Sequence, residues 1–435
     1  MRQLKLLLRS KNSQVLLSNS LASAIGLLTF LLMTRITEPS EFGKVVIFFS
    51  LAGLADLIRT GFIRQGLVRQ WINTDKQNQA GLIGSVWLLH FLLMIVIGLV
   101  CVLVDQITYL LTTDIEIFSF FFQFYPFLLF ASVPHQMLSW FAQSRAKYLR
   151  MNTYRLIVNF IVLALLSFQY GNVLTAQELI MCFVFANVIV SFVGIIDDRS
   201  YEKIVQANRQ TVRQLFVFGK YSMSTLAGSN LLKSTDTILI GWMMNPEAAA
   251  LYAIPLKVLE VVEIPLRGFV MTSYHRLTSY VQQKNRLGYR IHFKSSALRL
   301  TLLGLPVSLV CLFLPLPILT VLGGEGYTEG ISILQLLSFV ILLMPLDKYT
   351  GMSLDSINQP RINATKVWIM VLINVIGDWI VLRLNGPLWM IALVTALNIL
   401  CGIFFGLIKN PYIRDRKEVR SPVPSRLATA PIIEA

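Results

Sequence analysis

Twelve stretches of this 435-residue chain stay apolar for about twenty positions. They cover 15–34, 42–61, 82–104, 117–139, 153–169, 176–196, 214–243, 248–271, 297–321, 331–350, 365–384 and 387–408. A helix of about that length crosses the hydrocarbon of a bilayer. Lipid offers the backbone no hydrogen-bond partner, so only helices or a closed barrel can cross it. Barrel strands are about half as long and alternate in hydrophobicity, whereas these stretches are apolar all round. The sequence therefore predicts an all-α polytopic membrane protein with about twelve transmembrane helices. Composition agrees: 55% of residues are hydrophobic and 14% charged, against roughly 25% charged in soluble domains.

The net charge of +15 would suit a nucleic-acid binder, but its distribution excludes that reading. With the N-terminus placed in the cytoplasm, 33 of the 38 Lys and Arg fall in cytoplasmic segments, from Arg2 and Lys5 to Arg420 and Arg426. The opposite loops carry mainly acids: Glu38, Glu41, Asp105, Asp114, Glu116, Glu247, Glu325 and Glu329. This is the positive-inside pattern, and it predicts that both termini face the cytoplasm. The opening "MRQLKLLLRS" resembles a signal peptide. The apolar stretch behind it has full spanning length, however, and no small-residue cleavage site follows, so it is read as an uncleaved first helix.

Motifs for enzymatic chemistry are missing. The sequence has no phosphate-binding loop of the G-x-x-x-x-G-K-[ST] type, no G-x-G-x-x-G, no H-E-x-x-H and no G-x-S-x-G. Glycine-rich "LGGEGYTEG" (322–330) joins two spans and reads as a tight outer turn. Cys101, Cys182, Cys311 and Cys401 each stand alone in an apolar stretch, so neither a disulfide framework nor a metal site is expected. The non-cytoplasmic loops are too short for the extramembrane region that a polysaccharide polymerase or ligase needs. A transporter is expected rather than an enzyme.

The two halves of the chain echo each other. A shift of 207 residues sets Pro39 on Pro246, Asp56 on Glu263, Gly61 on Gly268 and Phe62 on Phe269. The implied organisation is an N-terminal six-helix half (1–196), a cytoplasmic linker (197–213), a C-terminal six-helix half (214–408) and a basic tail (409–435). Six crossings return the chain to the same side, so the halves are parallel repeats around a central cavity. Transporters of this kind place substrate at the repeat interface and rock the halves about it.

Charges inside the spans mark the candidate path. Residues 254–267 read "IPLKVLEVVEIPLR". At 100° per residue, Lys257, Glu260, Glu263 and Arg267 form one polar stripe. A charge at bilayer depth costs at least ~2.5–3.5 kcal/mol, so the stripe must face the bundle interior or water. Lys233 and Asp236 repeat the arrangement three residues apart in the preceding span, and Asp378 lies one turn from Asn374. Asp56, Arg59 and Arg64 sit toward the cytoplasmic end of the second span. The competing reading is internal neutralisation, because Lys257–Glu260 and Glu263–Arg267 have helical pairing distances. Asn19, Asn159, Asn187 and Asn398 read as interhelical hydrogen-bond partners.

The phrase "LMTRITEPSEFGKVVIFFSLAGLADLIRTGF" and the turn Pro39, Glu41, Phe42, Gly43 resemble the polysaccharide-unit flippases of the Wzx type. These belong to the multidrug/oligosaccharidyl-lipid/polysaccharide exporter superfamily. Asp236, Ile240-Gly241, Pro246-Glu247 and Tyr252 match the same pattern, with Ala250 replacing the usual glycine. The resemblance implies a multi-pass protein of the bacterial inner membrane. Its substrate would be an oligosaccharide on undecaprenyl pyrophosphate, turned from the cytoplasmic to the periplasmic leaflet for surface polysaccharide such as O-antigen. A polysaccharide polymerase and other assembly proteins would be its partners. On this reading Lys233, Asp236, Lys257, Glu260 and Asp378 line the substrate path. Asp56, Arg59, Arg64, Lys220, Glu263 and Arg267 form a cytoplasmic gate or entrance. Lysines suit a pyrophosphate as point charges that do not demand fixed geometry. No cofactor is implied, but the carboxylates suit coupling to a proton or sodium gradient. The alternative within the superfamily is a cation-coupled multidrug exporter, against which the lysines argue.

Overall fold

The computed structural model describes residues 11–75, 77–110 and 116–414, except for the side chains of 11–17, 19, 73, 116, 117 and 218–225. The basic residues Arg2, Lys5, Arg9 and Lys76, the acidic Asp114 and the tail beyond 414 lie outside the described residues. So do the side chains of Asn19, Glu116 and Lys220.

Twelve long helices and no strand occur among the described residues. The first six are α1 (Lys11–Arg35), α2 (Pro39–Arg59), α3 (Gln79–Leu110), α4 (Glu116–Ser144), α5 (Tyr148–Phe168) and α6 (Ala176–Asp197). The second six are α7 (Arg209–Met243), α8 (Pro246–Gln282), α9 (Arg286–Phe313), α10 (Ile331–Ser356), α11 (Pro360–Arg383) and α12 (Trp389–Lys409). Each corresponds to one of the apolar stretches. Among the described residues, eight are long and apolar enough to cross a membrane by length and composition. The exceptions are α1, α4, α7 and α8. For α7 and α8 the cause is the charge they carry mid-helix; α4 carries Pro126, Pro134 and His135. Broad apolar faces of α3 and α9, including Leu99, Leu103, Leu302 and Leu303, are exposed on the bundle surface. Such faces need lipid to cover them.

Several boundaries differ from the sequence expectation. The second span does not stop near 61. A π-helical turn, Thr60–Arg64, carries α2 on into Gln65–Asn73, so Arg64 is helical too. The segment "HRLTSYVQQKNRLGYRIHFK", expected as a cytoplasmic loop, is mostly helix: α8 runs to Gln282 and α9 starts at Arg286. Asn285 makes that tight turn possible by capping α9 through a side-chain bond from Gly288 N at 2.8 Å. The ninth span ends at Phe313, because Pro315 opens a separate short helix, Pro315–Leu322. The expected turn 322–330 contains a 3-10 helix, Glu325–Gly330.

The packing repeats with an offset of six helices. α1 lies on α5 as α7 lies on α11; α4 lies on α6 as α10 lies on α12; α3 lies on α4 as α9 lies on α10. The halves meet where α2 runs against both α7 and α8. Both α2 and α8 begin with a proline, Pro39 and Pro246, the pair aligned by the sequence repeat. At this end the backbones nearly touch: a Cβ on Gly43 would lie 1.8 Å from the Pro246 carbonyl oxygen. Thr34 donates to the Leu322 carbonyl at 2.9 Å, and Arg35 donates to those of Thr320 and Val321 at 2.7 and 3.0 Å. Phe42 packs edge-on against Phe30 and Tyr327. The Pro39–Pro246 end of the interface is thus closed. Between α6 and α7, the 3-10 helix Ser200–Gln206 is laid on α3, with Trp87 Nε1 donating to Ser200 Oγ at 3.1 Å.

Candidate functional site: an ion cluster and a buried carboxylate pair

The charged stripe of α8 meets two other helices. Glu263, whose side chain is only 8% exposed, lies between α7, α8 and α10. Its Oε2 accepts from Lys233 Nζ of α7 at 3.2 Å and from Arg267 Nη2 of α8 at 2.9 Å; its Oε1 accepts from Lys348 Nζ of α10 at 2.7 Å. Three cations from three helices share one carboxylate. The carboxylate is buried while the side chains of Lys233 and Arg267 remain 51% and 59% exposed. Charges this exposed within spanning helices face water rather than hydrocarbon. They lie on α7 and α8, the two helices that pack against α2 of the other half.

Lys257 and Glu260 pair with each other at 2.7 Å. The ammonium also lies 4.8 Å from the Phe30 ring centroid of α1, so this pair faces the N-terminal half. The pairings expected for Lys257–Glu260 and Glu263–Arg267 are both present. Lys233, read from sequence as a path residue, and Glu263, read as a gate residue, belong to one cluster. Lys348 was missed. Its signal is its place inside the tenth apolar stretch, 331–350.

Asp236 points away from Lys233 and into the C-terminal half. Its oxygens accept from Tyr252 Oη at 2.9 Å, from Thr395 Oγ1 at 3.1 Å and from Asn374 Nδ2. The same Asn374 nitrogen donates to Asp378 Oδ2 at 3.0 Å, and Asn398 Nδ2 donates to Asn374 Oδ1 at 3.0 Å. Asp236, Asp378, Asn374, Asn398 and Tyr252 are all buried. Asn398 Oδ1 has no partner. Two carboxyl groups are joined by one amide and by a direct hydrogen bond to each other, with no cation among their partners within the described residues. A buried charge needs a partner, and an all-oxygen set suits a shared proton or a small hard cation. Sequence reading found both aspartates but set them on the substrate path; the structure encloses them together. No cluster of three or more His, Cys, Asp or Glu suited to a metal occurs among the described residues.

The N-terminal half holds its own ion pair, a buried arginine on a part-exposed aspartate. Asp56 accepts from Arg59 and, at 2.8 Å, from Tyr125 Oη of α4. Arg59 is fully buried, with Nη1 3.4 Å from His90 Nε2 of α3. Arg64 donates to Gln143 Oε1 of α4 at 2.8 Å. Asp56 and Glu263 are the residues aligned by the repeat, and each pairs with an arginine one turn on. The Asp56 pair is tied to its own half, whereas the Glu263 cluster opens to the interface.

The fold is the one seen in transporters of the MOP superfamily. The structure superposes on an inward-facing multidrug resistance MATE family transporter with a TM-score of 0.73 and 12% identity, covering 90% of this chain and 95% of that one. It is similar also to the lipid II flippase MurJ in an inward closed conformation, with a TM-score of 0.69, 13% identity and coverage of 90% and 86%. A third similar structure is a MOP superfamily transporter from Pyrococcus furiosus, with a TM-score of 0.60, 13% identity and coverage of 92% and 95%. The chain belongs to the polysaccharide biosynthesis protein family, whose model matches residues 10–275. Comparison with curated protein sequences gave no match.

Proposed function

We propose that this protein is a flippase for a lipid-linked oligosaccharide. It carries a few sugars on undecaprenyl pyrophosphate from the cytoplasmic to the periplasmic leaflet of a bacterial inner membrane. The halves rock about a central site, and both termini face the cytoplasm. The observation that carries this reading is the cluster of Lys233, Arg267 and Lys348 around Glu263. An anionic headgroup must cross hydrocarbon while its polyprenyl tail stays in lipid. Exposed cations between two rocking halves give that headgroup a polar route. Family membership supports surface polysaccharide as the destination. A cationic drug would meet repulsion at these residues, which weighs against the multidrug alternative.

With no ATP-binding motif in the sequence, the driving force is an ion gradient or downhill flow. The Asp236–Asp378 pair is the place where a proton or sodium ion would bind and couple to transport. O-antigen-type polysaccharide, a polymerase partner and the inner membrane belong to the same proposal. Deleting the gene in its host tests it: the cells should lose one surface polysaccharide and accumulate its lipid-linked unit. Unchanged surface polysaccharide would overturn the reading.

A further inference from the structure

We propose that Glu263 is a built-in counterion that sets the charge of the headgroup the site accepts. The inference rests on the flippase reading and deepens it. Three cations on one carboxylate leave two positive charges without a partner. The nearby charges do not alter this count: Lys257 is paired with Glu260, and Lys366 with Asp347. A sugar joined to a lipid through a diphosphate carries one negative charge on each of two phosphates. A sugar joined through a single phosphate carries one. The surplus in the cluster thus matches a diphosphate diester and exceeds a monophosphate diester.

The geometry gives Glu263 a second task. Lys233, Arg267 and Lys348 come from three helices and repel one another. The carboxylate holds them together when no substrate is present. It also limits the surplus, so that a bound diphosphate is neutralised but not trapped. Lysines hold phosphate as point charges without fixed geometry, which favours release. Lys348 is accordingly a binding residue of equal standing with Lys233.

The charge count can be tested by changing it in both directions. The probes are a short-chain isoprenyl diphospho-N-acetylglucosamine and its monophospho counterpart, titrated onto the full-length protein in nanodiscs. Wild type should prefer the diphospho compound by at least tenfold. Glu263→Gln raises the surplus to three, and its diphospho affinity should rise about tenfold with slower dissociation. Lys348→Met lowers the surplus to one and should erase most of the preference. The double variant Glu263→Gln, Lys348→Met restores a surplus of two and should return to within about threefold of wild type. That recovery separates a charge count from a folding defect. If Glu263→Gln binds the diphospho compound more weakly and the double variant is weaker still, the inference is overturned. If the binding order holds in a protein that moves no lipid-linked oligosaccharide in vesicles, the flippase reading fails and the charge count stands. Transport without the predicted order would sink the charge count alone.

Discussion

Lys233 and Lys366 show at residue scale why two buried-looking lysines deserve opposite expectations. Lys366 is fully enclosed, with Nζ 2.6 Å from Asp347 Oδ1 and 2.9 Å from Thr350 Oγ1. Removing one partner of a buried pair strands the other and costs about 3–5 kcal/mol. Lys366→Met should therefore lower the thermal unfolding temperature in detergent, and adding Asp347→Asn should recover much of the loss. Lys233 is half exposed at the interface, so its loss spares the fold. Lys233→Ala should cut transport by at least ~10-fold with normal protein levels, the scale of one lost charge-assisted contact of ~1.5–3 kcal/mol. Lys233→Arg should retain part of the activity. Transport rate and membrane abundance, measured together, check both claims. Asp378 makes a third case. Asp378→Asn keeps the shape but removes a buried carboxyl group that hydrogen-bonds to Asp236. The variant should still bind substrate, yet its transport should lose dependence on sodium or pH. Retained dependence would move the coupling site elsewhere.

At element scale, α2 and α8 act as one crossed pair. Each starts at a proline, each keeps its acid and basic residue one turn apart, and they touch at Gly43 and Pro246. Only a residue without Cβ fits there, because the obstacle is the Pro246 backbone. Gly241 offers a contrast. A Cβ at Gly241 would meet Ile47 Cδ1 at 2.2 Å and Cγ1 at 2.8 Å, side-chain rather than backbone atoms. Gly43→Ala should therefore cost about 1–3 kcal/mol of closure or more, while Gly241→Ala should cost clearly less. Paired spin labels across the Pro39–Pro246 end would read this as a longer distance in Gly43→Ala alone. Equal behaviour of the two variants would mean that this contact does not hold the end shut. The π-helical turn Thr60–Arg64 directly after Arg59 is the irregularity that α2 carries and α8 lacks. α8 carries Pro255 and Pro265 in its place.

For the whole molecule, the sequence revealed the framework and much less of the site. The twelve helices were legible because lipid forces long apolar runs. The repeat was legible through Pro39 with Pro246 and Asp56 with Glu263. Helix ends were less legible: the second apolar stretch closes near 61, but the helix continues past Arg64, which bonds to Gln143. Spacing along one helix gave the pairs Lys257–Glu260 and Glu263–Arg267. It could not show that Lys348, eighty-five positions from Glu263, closes the cluster. Nor could it show that Asp236 turns toward Asp378 while its neighbour Lys233 turns toward Glu263. Those facts depend on which helices pack together, and a helical wheel does not contain that information. The central claim is that these charges move a lipid-linked sugar across a membrane. The most direct measurement reconstitutes the purified protein in vesicles with a fluorescent undecaprenyl diphosphate oligosaccharide in one leaflet and follows its arrival in the other. Wild type should move it, and Lys233→Ala should move it at least ~10-fold more slowly. Export of a cationic dye with no movement of the lipid-linked sugar would contradict the account.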